Sequence, residues 1–305
     1  EARPELSAVY GHVRQFISPD LDEATARRFA CPEGTLAART FGSILFRRAV
    51  FERIGVLDAA IARLLDQHDP YRQTLETLLP ITSGFDAEMV RLGLASYLRT
   101  FRALQLHRFV AEDFSNPKIL DEFQPRTKGG WSKAIGPDLL VHVWAGNVPG
   151  LPLWSFVSGL LVKAGNIGKI ASAEPVFASI FARLLAEIEP RWSDCFAVVW
   201  WPGGDEAIER CIFGTADTVL AYGSNATLRS IQERLPATAR FLPHGHKLSL
   251  AVVSASALSL RRGQAVARQA ALDVARYDQQ GCYSPHVIYV QRGAPVQPLE
   301  FAQYL

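Results

Sequence analysis

The sequence has few cysteines, a single methionine and a small net charge. Its 305 residues contain 4 cysteines and 1 methionine, and 32 basic residues nearly balance 30 acidic ones, leaving a net charge of +2. A charge this small argues against a nucleic-acid-binding protein, which normally carries a strongly basic surface. The cysteines, Cys31, Cys195, Cys211 and Cys282, lie far apart and form no CxxC pair. Their spacing argues against a zinc site and favours reduced thiols in a cytoplasm.

A long hydrophobic run and a secretory leader pattern are also lacking. The longest largely apolar stretch, residues 151–162, is shorter than the roughly 20 residues that a membrane-spanning helix needs. Residues 1–5 are Glu-Ala-Arg-Pro-Glu, which is too charged for a signal peptide. We therefore expect a cytoplasmic protein without a membrane span. A chain of this length usually forms about two domains.

Two common nucleotide-binding motifs are absent. No GxGxxG follows the first strand predicted below, so the usual dinucleotide fingerprint is missing. Gly168-Lys169 does not complete a P-loop, because Lys163 stands at the position of the first glycine and Ile170 at that of the Ser or Thr. If this chain binds a nucleotide, it must therefore use another arrangement.

The first part of the chain is predicted to be helical. Residues 1–112 contain apolar side chains at three- and four-residue spacing, most clearly over residues 36–65 and 86–109. Asp86 is expected to cap the second of these helices, with residues 80–84 leading into it. Residues 113–136 are polar and rich in turn-forming residues, which indicates a connection or a hairpin arm.

From residue 137 onward, short apolar runs alternate with helical patterns. The predicted strands are residues 139–144, 166–170, 196–201, 218–222 and 248–253. Strands that alternate with helices of this length predict a mostly parallel sheet with helices on both faces. Ligands of such sheets bind beyond the carboxyl ends of the strands, where the glycine-containing turns of this sequence fall.

A single cysteine lies between a helical pattern and a strand pattern near the end of the sequence. Residues 261–277 favour a helix and residues 286–291 favour a strand, and Cys282 lies between them with Gly281 before it. A tight turn here would expose the sulfur and let backbone amides stabilise a thiolate. The pattern leaves open a second interpretation, in which Cys282 is a small buried residue without a chemical role.

Four short stretches occur in a characteristic order. They are Trp144-Ala145-Gly146-Asn147-Val148-Pro149, Gly165-Asn166-Ile167-Gly168-Lys169, Tyr222-Gly223-Ser224 and Gly281-Cys282. Together they resemble the aldehyde dehydrogenase superfamily. Residues 79–84, 142–149, 243–249 and 282–285 are, in addition, similar to the LuxC-type acyl-CoA reductases within it.

The resemblance implies an aldehyde-dehydrogenase-like α/β fold. It divides the chain into a helical N-terminal region (residues 1–112), a connection or hairpin arm (113–136), a dinucleotide-binding domain with a parallel Rossmann-type sheet (137–255) and the start of a second α/β catalytic domain (256–305). Members of the family continue beyond the point where this sequence stops, so a fragment is expected. The resemblance also implies a homo-oligomer and, as a further partner, an enzyme that supplies the acyl group.

Catalytic roles follow from the same resemblance. Cys282 would accept the acyl group of an acyl-CoA or another fatty acyl thioester, and Asn147 would help to hold the oxyanion before reduction to the aldehyde. His244 and His246 are candidates for proton transfer, although a structural role is open for both. Residues 242–247 contain no carboxylate, whereas hydrolytic members of the superfamily carry a water-activating glutamate in this stretch.

Cofactor-binding roles are implied for a second set of residues. Lys169 would bind the adenosine ribose, and Gly223 and Ser224 would open a helix beneath the pyrophosphate. An acidic residue often follows the ribose lysine by three positions, where it repels a 2′-phosphate. Ser172 occupies that position here, which predicts NADPH as the cofactor, although Glu174 could approach the ribose instead.

Two other functions remain open at this stage. An NAD(P)-dependent aldehyde dehydrogenase that oxidises its substrate would share the fold, but the missing glutamate counts against it. A non-catalytic subunit would also share the fold, but the retained Cys282, Asn147 and Lys169 count against it. Each residue also has a plainer interpretation, since Asn147 suits a turn, Lys169 a solvated charge and Ser224 a helix cap.

Overall fold

The structure, a computed structural model, describes residues 50–305 and two short strands before them. These strands, β1 (His12–Arg14) and β2 (Thr35–Ala37), pair in antiparallel fashion. The helix predicted for residues 36–65 is therefore wrong at its start, where Leu36 belongs to β2, and correct from Val50 onward. The remaining predictions for residues 1–49 lie outside the described residues.

Four helices follow, α1 (Val50–Leu65), α2 (Pro70–Ser83), α3 (Ala87–Leu98) and α4 (Ala103–Asp113). Asp86 caps α3 as predicted, since its side chain accepts hydrogen bonds from the backbone N–H groups of Glu88 and Met89. Residues 80–84 do not lead into α3. They form the last turn of α2 and its cap, where Gly84 has a φ of 75° that ends the helix.

Between the helices and the main sheet, residues 114–138 form an irregular connection. It includes a short 3₁₀ turn (Pro117–Leu120) and the antiparallel pair β3 (Gln124–Pro125) and β4 (Trp131–Ser132). This pair is a small hairpin arm that projects exposed apolar side chains, including Trp131.

A five-stranded parallel sheet forms the centre of the chain. Its strands are β5 (Leu139–Val143), β6 (Gly165–Lys169), β7 (Phe196–Val199), β8 (Thr218–Tyr222) and β9 (Arg240–His244), in the order β7-β6-β5-β8-β9. The helices between them are α5 (Pro152–Leu161), α6 (Val176–Ile188), α7 (Glu206–Thr215) and α8 (Asn225–Gln232). The order places β5 at the centre, and all five of its residues are buried.

Each face of the sheet has its own core. Helices α1 to α4 pack together with α5 and α6 on one face, in a continuous cluster that includes Phe101, Trp144 and Phe156. On the other face, Val141 and Val219 pack with Phe213 of α7. Among the described residues, no helix combines the length and apolar content that crossing a bilayer requires.

The last part of the chain builds a separate, smaller unit. Its strands β10 (Ser249–Val253) and β11 (Pro285–Val290) pair in parallel, and helices α9 (Gly263–Ala275) and α10 (Pro298–Tyr304) pack against them around a third core. β10 thus pairs with a strand of this unit and not with the five-stranded sheet, although residue 255 was predicted as the boundary. Between α9 and β11 lies the segment that contains Cys282.

Candidate active site

A cavity of about 500 Å³ lies at the carboxyl ends of β5, β8 and β9, where the sheet meets the smaller unit. Ligands of parallel sheets bind at this edge. The turns after the three strands line it on one side, and the segment that contains Cys282 lines it on the other. The lining includes four of the predicted site residues, namely Asn147, Gly223, Ser224 and Cys282. Asn147 and Cys282 therefore share one cleft, as the sequence predicted.

The segment that leads to Cys282 has an unusual backbone. Tyr277, Asp278 and Gln279 have φ values of 54°, 50° and 61°, and such left-handed conformations cost non-glycine residues roughly 1–2 kcal/mol each. Tyr277 anchors the segment, because its side chain is buried and its ring packs edge-on against Phe85, with the centroids 6.2 Å apart. Strain that is held in place by surrounding packing is common at functional sites.

Cys282 itself is exposed at the cavity. Its carbonyl oxygen accepts a hydrogen bond of 2.6 Å from Ser249 Oγ at the start of β10. Close to it, Ser284 is fully buried, and its hydroxyl lacks a hydrogen-bond partner among the described residues. The thiol is therefore open to a ligand while the backbone beneath it is fixed.

Asn147 joins the sheet directly to the cysteine segment. Its Nδ2 donates a 2.6 Å hydrogen bond to the carbonyl oxygen of Gln280, two residues before Cys282. An amide nitrogen carries two hydrogens, so the second remains for a ligand. The sequence resemblance implies an oxyanion role for Asn147 but gives no sign of this bond, which also holds the segment in position.

The remaining polar lining is basic or neutral. His244, His246, Lys247 and His286 line the cavity, and no Asp or Glu does so within the described part of the chain. The rings of Tyr222 and His244 stack at 4.8 Å with an angle of 19° between them. Burial raises the pKa of Tyr222 and the nearby Cys282 adds to the rise, whereas a hydrogen bond with Ser155 acts in the opposite direction.

A second cavity, of about 280 Å³, lies farther along the same edge of the sheet and contains Lys169 in its lining. The Lys169 ammonium lies over the Trp201 ring, 5.4 Å from its centroid. Burial lowers the pKa of Lys169, and the charge of Glu209 acts in the opposite direction. Glu209 and Arg234 form an ion pair in this cavity. Neither was singled out from the sequence, because they lie 25 positions apart in no recognisable motif.

The first turn of α8 separates the two cavities. Ser224 caps this helix, since its Oγ accepts a 3.1 Å hydrogen bond from the N–H of Thr227. Ser224 lines the first cavity and Thr227 the second. A Cβ on Gly245 would approach Asn225 Oδ1 to 2.8 Å, so the lack of a side chain there keeps the approach to the helix open. Helix N-termini favour negatively charged groups such as pyrophosphate.

Ser172 and Glu174 lie just beyond the end of β6. Ser172 is exposed, and its Oγ accepts a 3.0 Å hydrogen bond from Trp200 Nε1, which leaves its own hydrogen to donate. Glu174 is buried, and its Oε1 accepts hydrogen bonds from the N–H groups of Val176 and Phe177 at the start of α6. Glu174 is thus turned into the protein, and burial raises its pKa.

The chain is similar to known proteins over most of its length. The profile of the acyl-CoA reductase (LuxC) family matches residues 49–305. Long-chain acyl-protein thioester reductase 2 of Photobacterium leiognathi is 29% identical over 211 residues, which are 68% of this chain and 43% of that protein. The long-chain acyl-protein thioester reductase of Aliivibrio fischeri is 28% identical over 225 residues, 72% of this chain and 45% of that protein. The chain therefore spans less than half the length of these relatives.

Solved structures with a similar fold include aldehyde dehydrogenases. An NAD-dependent benzaldehyde dehydrogenase from Corynebacterium glutamicum aligns with a TM-score of 0.64 at 18% identity, over 89% of this chain and 60% of that one. Aldehyde dehydrogenase 21 from Physcomitrella patens aligns with a TM-score of 0.63 at 17% identity, over 81% of this chain and 50% of that one. The predicted aldehyde-dehydrogenase-like fold is confirmed.

Proposed function

Because this chain belongs to the acyl-CoA reductase (LuxC) family, we propose that it reduces a fatty acyl thioester, such as an acyl-CoA, to the aldehyde through an acyl group on Cys282. The observation that carries the proposal is the cavity in which Asn147 is bonded to the segment that presents Cys282. The matched relatives are named for the reduction of long-chain acyl-protein thioesters, a reaction on the same type of bond.

In the first step the Cys282 thiolate attacks the carbonyl carbon of the thioester. The carbonyl oxygen becomes an oxyanion, which the second N–H of Asn147 and the backbone N–H of Cys282 would stabilise. The bond from the carbonyl carbon to the sulfur of the donor then breaks, and the donor leaves as a thiolate. The acyl group remains on Cys282 as a new thioester, so that the energy of the original bond is retained.

Water must be kept from this acyl group until it is reduced. A carboxylate that could activate water is missing both from residues 242–247 and from the described lining of the cavity. The imidazoles of His244 and His246 are the groups that remain for proton transfer. We propose that one of them takes the proton of the Cys282 thiol when the thiolate forms and passes it to the departing donor thiolate. Because the described lining lacks a carboxylate to activate water, we expect reduction of the acyl group to be faster than its hydrolysis.

The two cavities fit a dinucleotide laid across the N-terminus of α8. Lys169 would hold the adenosine ribose in the second cavity, and Gly223 and Ser224 would lie beneath the pyrophosphate. When bound, the reduced nicotinamide supplies the hydride that converts the Cys282 thioester to the aldehyde and releases the Cys282 thiolate. The chain's own part is to place the thioester and its oxyanion donors at that end of the cofactor.

We propose NADPH as this cofactor. Ser172 can donate a hydrogen bond to a 2′-phosphate, and Lys169 can add a charge-assisted one. Glu174, the carboxylate that could have competed for the ribose hydroxyls, is buried and bonded to the start of α6. Its inward position removes the main objection to NADPH that the sequence raised.

Mass spectrometry after mixing the protein with a long-chain acyl-CoA, without cofactor, tests the proposal. We expect one acyl adduct, on Cys282, and none in the Cys282→Ala variant. Cys211→Ala is the matched control, because Cys211 is also exposed but lines neither cavity. The proposal is wrong if Cys282→Ala accepts the acyl group at the wild-type rate.

A further inference from the structure

The second cavity is lined by more charged side chains than binding a ribose requires. Besides Lys169, it is lined by the ion pair of buried Glu209 and half-buried Arg234. We infer that Glu209 and Arg234 recognise the adenine base of the cofactor by its hydrogen-bonding edge. This inference rests on the proposed function in one respect only, namely that the ligand is an adenine dinucleotide.

The walls of this cavity suit a flat aromatic ring. Val143, Phe213 and Ile231 supply apolar surface, and Gly203 and Gly204 leave the side toward β7 free of side chains. Small-molecule sites are typically apolar with a few polar groups that fix orientation. A base would be held between these walls, and the polar groups at the edge would decide which base is accepted.

Glu209 is buried, with 4% of its surface exposed. Its Oε1 accepts hydrogen bonds from the N–H of Gly204 at 3.0 Å and from Trp201 Nε1 at 3.4 Å, and its Oε2 accepts from Arg234 Nη1. A buried carboxylate is costly without such partners, and these hydrogen bonds fix the direction of the Glu209 side chain. Each carboxylate oxygen accepts about two hydrogen bonds, which leaves capacity on Oε2 beside Arg234.

Glu209 Oε2 thus offers a hydrogen-bond acceptor beside the N–H donors of Arg234. Arg234 carries five N–H donors, and about a third of its side chain is exposed, at 32%. Adenine offers the complementary pair, because its N6 amine donates while the neighbouring N7 accepts. Glu209 Oε2 would accept from the N6 amine, and Arg234 would donate to a ring nitrogen.

The competing ligand for Arg234 is the 2′-phosphate of NADPH. The observations favour the base, because Glu209 already pairs with Arg234 and would repel a phosphate brought beside it. Three apolar side chains also line the cavity and would have no partner in a phosphate. Ser172 and Lys169 at the end of β6 remain the groups for the phosphate.

The test compares equilibrium binding of NADPH with that of its hypoxanthine analogue, in which a carbonyl oxygen replaces the N6 amine. Calorimetry or tryptophan fluorescence measures the Kd, so no turnover is needed. We expect the wild type to bind NADPH about 10- to 100-fold more tightly, because the analogue places an oxygen against the Glu209 carboxylate. In Glu209→Gln the ratio should fall to within about threefold, because an amide can donate to that oxygen.

Equal Kd values for the two ligands in the wild type would overturn the inference, even if Glu209→Gln fails to fold. If Arg234→Gln loses binding of NADPH but not of NADH, and adenine and hypoxanthine are bound equally well, Arg234 binds the 2′-phosphate and not the base. The Cys282→Ala variant should keep the wild-type ratio. Failure of the proposed chemistry at Cys282 therefore stays distinguishable from failure of this inference.

Discussion

Asn147 has two proposed roles, holding the cysteine segment through its hydrogen bond to Gln280 and donating to the oxyanion. The two roles predict losses of acylation rate of different size in Asn147→Ala. If Asn147 only holds the cysteine segment, Asn147→Ala removes one hydrogen bond, with a net value of about 0.5–1.5 kcal/mol. At 1.4 kcal/mol for each factor of ten, this reduces the population of the docked segment about tenfold at most. If Asn147 also donates to the oxyanion, the loss of one such donor costs about 100- to 1,000-fold in rate.

The rate of acylation distinguishes these outcomes. Release of CoA from an acyl-CoA in a single turnover without cofactor measures the attack by Cys282 alone. We expect Asn147→Ala to slow this release at least 100-fold. The melting temperature should fall by only a few degrees, because about 1 kcal/mol shifts a domain of this size by about 2–4 °C.

A control is available in the connection before the hairpin arm. Asn116 is another asparagine whose Nδ2 donates a side-chain hydrogen bond, to Gln124 Oε1 at 2.7 Å, and neither residue lines either cavity. Asn116→Ala should cost similar stability and leave acylation unchanged. A tenfold or smaller effect of Asn147→Ala on CoA release would refute the oxyanion role and leave Asn147 as a positioning residue.

Three other predictions concern the end of β6 and its surroundings. Gly168→Ala should lower the free energy of unfolding, measured with urea, by about 1–3 kcal/mol, because a Cβ there would lie 1.9 Å from the Trp144 ring. A change below about 0.5 kcal/mol would contradict this packing. Burial raises the pKa of Glu174, so the folded state holds this proton more tightly than the unfolded state and loses stability as the pH rises above about 4.3. The melting temperature of Glu174→Gln relative to wild type should therefore increase from pH 4 to pH 8, and a constant difference would show that Glu174 does not titrate in this way. Steady-state kinetics should give a higher kcat/KM with NADPH than with NADH, and Ser172→Glu should reverse this order; a gain of NADPH efficiency in that variant would remove Ser172 from the explanation.

Much of the α/β core could be predicted because its sequence signals are local. β5 is a continuous apolar run, and such runs are typical of strands buried on both faces. Asp86, Asp205 and Ser224 are short polar residues before helical patterns, and each caps the helix that follows it. The turns after β5 and β8 were therefore assigned to the correct edge of the sheet.

Two elements whose bounds were not predicted from the sequence contain a proline, which normally opposes a helix or a strand. α2 contains Pro80, and it is stable because the proline lies near its last turn, before the Gly84 cap. β9 contains Pro243 just before its last residue, His244, and a strand tolerates a proline at the edge of a sheet. Local patterns cannot show that the strand is an edge, because this depends on the order of the whole sheet.

The parts of the site that were missed depend on contacts between distant residues. No spacing rule connects Glu209 to Arg234, or Asn147 to Gln280, since each pair meets only when the complete fold forms. The inward direction of Glu174 is likewise set by the backbone N–H groups of α6. Residue types and motifs indicated which residues reach the cavity, but not what each one bonds to.

The 133 positions between Asn147 and Gln280 also have a consequence for how the protein is made. At about 5–20 residues per second on the ribosome, the end of β5 is synthesised on the order of ten seconds before its partner. The sheet can pair during this interval, but the cysteine segment cannot dock until the later residues emerge. The reactivity of the newly made Cys282 thiol should therefore change only after the sheet has formed, and pulse labelling of nascent chains would time the docking of the cysteine segment.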